Sequence, residues 1–353
     1  MAATLVEAVA ASEEARRREE ARRARGGARA TLLAVLAIVV AIAASIAAGA
    51  ALERRSNRAA HAARSFALRS MLWVLAPFAT YVNLAHADLE LDALAGGLIA
   101  IAALGVTGVV AWQLARGPLR LERRSIGAYV HCSVQSNTGY LGLPLCAVLF
   151  DQHGLAQAIV YDVLISLATF AVGGFALGAA FGDAAGRRAA DGAGRRGAVA
   201  LDLARAVVLR NPILLSASAG LLVPEAWAPD FLLTPAKVAI FAMLPLGFLA
   251  VGVTLADEAD DGTLRIPPPL TRAVGSVVAL RMLLMPALFL LCTLFLDVPE
   301  PYLLLAAMPV GLNTLIVAHA TGLDLRLCAS AITWSTSIAI VGVLALSLTG
   351  VLG

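Results

Sequence analysis

Apolar residues in this chain come in long blocks rather than in alternation. Ten stretches, 31–52, 66–84, 93–115, 125–150, 155–181, 201–223, 231–255, 270–296, 302–318 and 323–352, are apolar over lengths near those a helix needs to cross a hydrocarbon layer. Such a layer is about 30 Å thick and takes about 20 residues of helix. A helix that is apolar all round is buried or faces lipid. The pattern predicts an all-α polytopic membrane protein with ten transmembrane helices.

Two blocks carry polar interruptions where a spanning helix tolerates them least. The fourth contains N-T-G-Y-L-G-L-P from Asn137 to Pro144, and the ninth contains M-P-V-G-L-N-T-L-I-V-A-H-A-T-G from Met308 to Gly322. Proline removes a backbone donor and clashes with the preceding turn, and glycine lowers helix stability by roughly 1 kcal/mol relative to alanine. Without water at that depth, the freed backbone groups need protein or a polar cavity around them. The expectation is two broken helices, interrupted at Gly142 and Pro144 and at Pro309 and Gly311, crossing near the midplane and lining a binding site. A proline kink that serves packing alone is the simpler alternative for either motif.

The blocks also repeat. Pro77 in W-V-L-A-P-F-A-T and Pro245 in F-A-M-L-P-L-G-F lie 168 residues apart, and so do the pairs Gly154-Leu155 and Gly322-Leu323. A shared offset argues for duplication of a five-helix unit. Five is odd, so the second copy enters the membrane upside down, giving two inverted five-helix repeats of the kind secondary transporters use.

Composition agrees. Of 353 residues, 60% are apolar and 14% charged, more apolar surface than a soluble domain of this length can bury. The basic residues are arginines apart from Lys237, and a formal net charge of +3 gives no reason to invoke nucleic acid. Cys132, Cys146, Cys292 and Cys328 lie in apolar segments without C-x-x-C spacing, so they read as packing residues and imply neither disulfides nor zinc. No cofactor or metal site is expected.

Arginine sets the orientation. Connections on one side carry sixteen, including Arg54, Arg55, Arg116, Arg120 and Arg326, while those on the other (A-H-A-D-L-E-L-D, D-Q-H-G, P-E-A-W-A-P-D and D-V-P-E-P) carry none. By the positive-inside tendency the arginine-rich side is cytoplasmic and both termini are extracytoplasmic, in a plasma or inner membrane. The first thirty residues object with seven arginines of their own. Glu13–Arg17, Glu14–Arg18 and Glu19–Arg23 at i,i+4 spacing make that stretch a solvated or membrane-surface helix, or a partner-binding tail.

Candidate chemistry concentrates at the breaks. Asn137 and Asn313 can each donate to a carboxylate, or bond to a neighbouring helix. Thr138 and Thr314 follow them and either face the cavity or bond back to their own helix. Half-helix N-termini favour anions; half-helix C-termini and loose carbonyls favour cations. Asp162, about eight residues into the fifth block, either couples a proton or cation or pairs across helices. Arg281, near mid-depth of the eighth block, either holds Asp162 or attracts substrate. Lys237 reads as a snorkelling residue, and His131 and His319 as hydrogen-bonded packing residues.

These motifs, with R-N-P-I-L-L-S-A-S-A-G-L-L (Arg210 to Leu222) and L-R-M-L-L-M-P-A (Leu280 to Ala287), occur in the order found in the auxin efflux carrier family, which the chain resembles from Thr31 onward. The resemblance implies a scaffold of the first, second, sixth and seventh helices (31–89 and 201–256) and a transport domain (90–181 and 257–353). Residues 1–30 form the charged extension and 182–200 a cytoplasmic linker. It further implies an elevator-like carrier of small organic anions, usually carboxylates, acting in the lipid bilayer as a homodimer. The family's crossover site would carry over to Asn137, Pro144, Pro309 and Asn313, with a structural ion pair for Arg281; Thr138 and Gly139, beside Asn137, are counted with them as substrate-binding candidates. The linker is far shorter than the hydrophilic loop of plant auxin carriers, so auxin itself is not implied.

Three other readings make distinct demands. A sodium-coupled carrier of the bile-acid type needs an oxygen-rich cation site at the crossing, for which Asp162 is the obvious acidic candidate. An intramembrane enzyme needs an acid-base or metal cluster such as H-E-x-x-H, which the sequence lacks, so no enzymatic activity is expected. A non-transporting sensor would work through residues 1–30.

Overall fold

The computed structural model describes residues 30–87, 91–182, 211–260 and 268–348. Residues 1–29 and 183–210 lie outside that set, and with them the charged extension up to its last residue, most of the linker and Arg210. The described residues are helical apart from short connections, with one isolated antiparallel bridge among them, Ser136 to Val310.

Among the described residues, seven helices are long and apolar enough to cross a membrane: α1 (Ala30–Arg55), α2 (Asn57–Ala85), α3 (Leu91–Arg116), α6 (Gln152–Phe181), α8 (Leu233–Asp260), α9 (Arg272–Thr293) and α12 (Leu325–Leu348). Between them lie shorter pieces, α4 (Arg123–Val134), α5 (Thr138–Leu149), α7 (Pro212–Leu222), α10 (Glu300–Ala306) and α11 (Asn313–Thr321). Leu33, Val40, Trp73, Leu98, Ile101 and Val341 point outward and are exposed, although each sits in a spanning helix. Apolar residues both inside and outside are what lipid as the surrounding solvent requires. This is an integral membrane protein.

Helix ends follow local chemistry. Asp151 caps α6 by accepting from Gly154 N at 2.9 Å, and Asn211 caps α7 by accepting from Ile213 N at 2.9 Å, with Pro212 in the first turn. Gly322 ends α11 in the left-handed region at φ 76°, and Asp324 starts α12 by accepting from Leu327 N at 3.1 Å. The two Gly-Leu landmarks therefore do different work: Gly154 lies inside the first turn of α6, while Gly322 sits in the turn between two helices. Their equal offset is not an equality of structural role.

Three prolines share a local device. Pro77, Pro144 and Pro286 each lie two residues beyond a five-residue π-helical turn, at Met71–Leu75, Thr138–Gly142 and Leu280–Leu284. A π-turn widens the backbone just where the proline ring would strike the carbonyl four residues back, so each helix continues past its proline. Pro245, the expected counterpart of Pro77, sits inside the continuous α8 instead.

Packing divides the helices. α2 lies along α7 and α8, while α3, α4, α6 and α9–α12 pack mainly on one another. α1 meets α8 at Gly49 and Gly252, where an added Cβ would lie 2.3 Å from Leu249 O or 2.2 Å from Ile46 O, so the backbones touch directly. The second group meets the first where α5 packs on α8 and α6 on α2.

Candidate functional site

The fourth apolar block is interrupted earlier than its proline suggests. α4 ends at Val134; Gln135 is extended, Asn137 has φ −90° and ψ 57°, and helix resumes at Thr138. Pro144 is absorbed by the π-turn before it, so the expected break at Gly142 and Pro144 is corrected to Gln135–Asn137. The ninth block breaks as expected between Ala306 and Asn313, around Pro309 and Gly311.

The two gaps lie against each other. Asn137 N donates to Pro309 O at 2.9 Å, and Gly311 N donates to Gln135 O at 2.9 Å. Backbone groups freed by one break are thus satisfied by the other, answering the accounting problem a broken helix faces in hydrocarbon. Val310 N finds Ser335 Oγ on α12 at 3.1 Å. A Cβ at position 311 would lie 2.6 Å from Ser136 O, so the approach requires glycine.

α5 and α11 begin at this crossing, with Asn137 just before one and Asn313 first in the other. They line a cavity of about 90 Å³. One wall is polar: Asn137, Thr138, Gly139, Tyr140, Asp162 and Asn313. The facing wall includes Met71, Ala76 and Ala79 of α2, Ile213 of α7 and Met243 of α8.

Asn137 is 2% exposed, and neither its Oδ1 nor its Nδ2 has a partner among the described residues. A buried amide without partners costs on the order of 1–3 kcal/mol, which a bound polar ligand or water can recover. Asn313 accepts from the Tyr140 hydroxyl at 3.4 Å. The Thr138 hydroxyl donates to Asp162 Oδ1, while Thr314 bonds back to Gly311 O at 2.8 Å and leaves the cavity. Gln135 donates to Ser136 O and Ser166 O at 3.3 Å each, leaving its Oε1 without a partner.

Of the expected residues, Asn137, Thr138, Gly139, Asn313 and Asp162 come together here. Pro144 and Pro309 are buried beside the crossing and do not line the cavity. Arg281 forms no ion pair with Asp162. Its Nε donates to Met308 O at 3.0 Å and its Nη2 to Ala306 O at 2.9 Å, so it satisfies carbonyls at the C-terminal end of α10. The expected ion pair is corrected to a positive cap on a half-helix C-terminus, which the helix dipole favours. Tyr140 and Gln135 were missed as site residues, although both flank Asn137 in the run Q-S-N-T-G-Y. Lys237 and His319 are exposed, and His131 is wholly buried with neither ring nitrogen partnered among the described residues.

Residues 230–347 match the family model described as "Membrane transport protein". The matched stretch is about a third of the chain and lies in its second half. An uncharacterized transporter of Methanocaldococcus jannaschii is 26% identical over 237 residues, which span 65% of this chain and 70% of that protein. Within the family match lie α8 to α12, including the Pro309–Asn313 side of the crossing.

Proposed function

We propose that this protein is a secondary transporter of small organic anions, carboxylates such as malate or malonate or related weak acids, working by alternating access. The observation that carries the reading is Asn137, buried with both amide atoms free, at the start of α5 and in the same cavity as Asn313 at the start of α11. First-turn amides of both helices and the Asn137 amide supply donors without fixed positive charge. That combination binds a carboxylate and releases it again. In this reading Pro309 shapes the second break, Pro144 is absorbed by the π-turn before it, and neither touches substrate.

Asp162 sets the coupling. Its carboxylate lines the same cavity, and two negative charges about 5 Å apart repel by about 3 kcal/mol at an effective dielectric of about 20. A cation that neutralises Asp162 removes that penalty, so anion and cation bind together. A proton serves, and so does sodium. Sodium is favoured by the unpartnered Gln135 Oε1 and Asn137 Oδ1 at the crossing, oxygens of the kind a sodium-coupled carrier of the bile-acid type would need there. Anion flux driven by a proton gradient without sodium supports the first ion; flux that requires sodium supports the second.

The motion proposed is elevator-like. α1, α2, α7 and α8 act as scaffold, with α2, α7 and α8 lining the cavity through Met71, Ile213 and Met243, and the crossing helices travel past it with their neighbours. Ten spans follow with α4–α5 and α10–α11 each counted as one broken span and α7 as a span of its own, with the halves inverted. A homodimer joined through the scaffold, and a plasma membrane location with the arginine-rich connections in the cytoplasm and both termini outside, complete the reading. The test is counterflow of labelled malate, malonate, lactate and indole-acetate in proteoliposomes. Saturable exchange of at least one is expected; no exchange of any, with folded protein, contradicts the proposal.

A further inference from the structure

Away from the crossing, at the end of α2, His86 meets the loop between α7 and α8. Two short 3-10 turns, Glu225–Trp227 and Asp230–Leu232, shape this loop, and Tyr81 of α2 donates to Trp227 O at 3.2 Å. The loop is thus fixed against α2, on the side of the protein whose connections carry no arginine.

The ring of His86 can be assigned a tautomer. Its Nδ1 lies 2.8 Å from Val82 O, a carbonyl that can only accept, so Nδ1 carries a hydrogen. In the neutral ring Nε2 then presents a lone pair. That lone pair faces two carboxylates, Asp230 Oδ1 at 3.3 Å and Glu225 Oε1 at 3.9 Å, and the imidazole side chain is 8% exposed. Three electron-rich atoms converge, all within 4.8 Å of one another. Something positive belongs between them.

Distance separates the candidates. A charge-assisted N–H···O bond from an imidazolium closes to about 2.7–2.9 Å. Two ligands on a tetrahedral ion, each bonded at about 2.0–2.2 Å, stand about 3.4 Å apart. The His86–Asp230 separation of 3.3 Å lies within hydrogen-bond reach but is long for a charge-assisted bond and close to the second value, and Glu225, 3.9 Å from the ring with a 70% exposed side chain, has room to approach. A His that donates its far N–H to a backbone carbonyl is also how metal-ligating imidazoles are oriented. His86 moreover caps the C-terminal end of α2, where the helix dipole favours a cation.

We propose that His86, Glu225 and Asp230 form a site for a divalent transition ion of the Zn²⁺ class, with a water as fourth ligand, tying the end of α2 to the α7–α8 loop. A second trio, Glu53, His61 and Asp257, has comparable spacing. There Arg64 donates to His61 Nδ1 at 3.0 Å and sits 3.8 Å from Asp257, so a resident positive charge already fills the role.

The test uses the full-length protein in detergent, stripped with chelator, titrated with Zn²⁺ at pH 7.5 by calorimetry, with Mg²⁺ as the comparison ion. Wild type and His61→Ala are expected to bind one Zn²⁺ per chain. His86→Ala, Asp230→Asn and Glu225→Gln should each weaken that binding at least tenfold. Zn²⁺ but not Mg²⁺ should raise the melting temperature of wild type, and X-ray absorption should report one nitrogen and at least two oxygens around the ion. Asp230 and Glu225 are exposed, so their variants keep the fold if His86→Ala does not. No Zn²⁺ binding by wild type, or binding unchanged in Asp230→Asn and Glu225→Gln, overturns the site and leaves a proton as the bridging charge.

Discussion

The backbone amide of Asn137 donates to the carbonyl oxygen of Pro309 at 2.9 Å. With the reciprocal bond from Gly311 to Gln135, it makes each broken helix the partner of the other. The same two breaks start the helices whose first turns and asparagines line the cavity, so what stabilises the crossing also builds the site.

Gly311→Ala tests that closeness. The added methyl would sit 2.6 Å from Ser136 O, and forcing such a contact in a packed interior costs about 1–3 kcal/mol. A fall of several degrees in melting temperature and a loss of most transport are expected. A variant with wild-type stability and flux would mean the backbones are farther apart.

Arg281→Met should be strongly destabilising, because it leaves Ala306 O and Met308 O buried without their donor, at about 1–3 kcal/mol each. The decisive comparison is the double variant with Asp162→Asn. An Arg281–Asp162 pair would be rescued by removing both charges; a helix cap would not. No rescue of melting temperature is expected.

Asp162→Asn removes the charge but keeps a hydrogen-bonding side chain beside Thr138. Exchange of anion for anion should persist within about threefold, while uptake driven by a cation gradient should fall at least tenfold, a loss of more than about 1.4 kcal/mol of coupling. Equal loss of both activities would assign Asp162 to substrate binding or to the fold instead.

Much of this was legible in the chain. Blocks of apolar residues announced the spans, and Pro309 and Gly311 located the second break to within a few residues. The first break was misplaced because Pro144 is the conspicuous residue, yet a π-turn at Thr138–Gly142 accommodates it, and nothing in G-Y-L-G distinguishes a π-turn from a break. The chain actually opens at Gln135–Asn137, where the energy comes from pairing with residues more than 170 positions away. Arg281 was misread for a similar reason: a buried arginine in sequence invites a carboxylate partner, whereas here its partners are carbonyls that exist only because α10 stops. His86, Glu225 and Asp230 were not grouped at all, since their spacing follows no motif and their meeting depends on how the α7–α8 loop folds back.

The most direct test of the site is counterflow of a transported carboxylate by Asn137→Ala and Asn137→Asp, with folding checked by melting temperature. Asn137→Ala removes both amide atoms from the cavity, and Asn137→Asp puts a negative charge where the substrate carboxylate would sit. Folded variants with exchange reduced at least tenfold, the aspartate the more severe, are the expected result. Exchange at the wild-type rate in folded Asn137→Ala would show that the anion binds elsewhere.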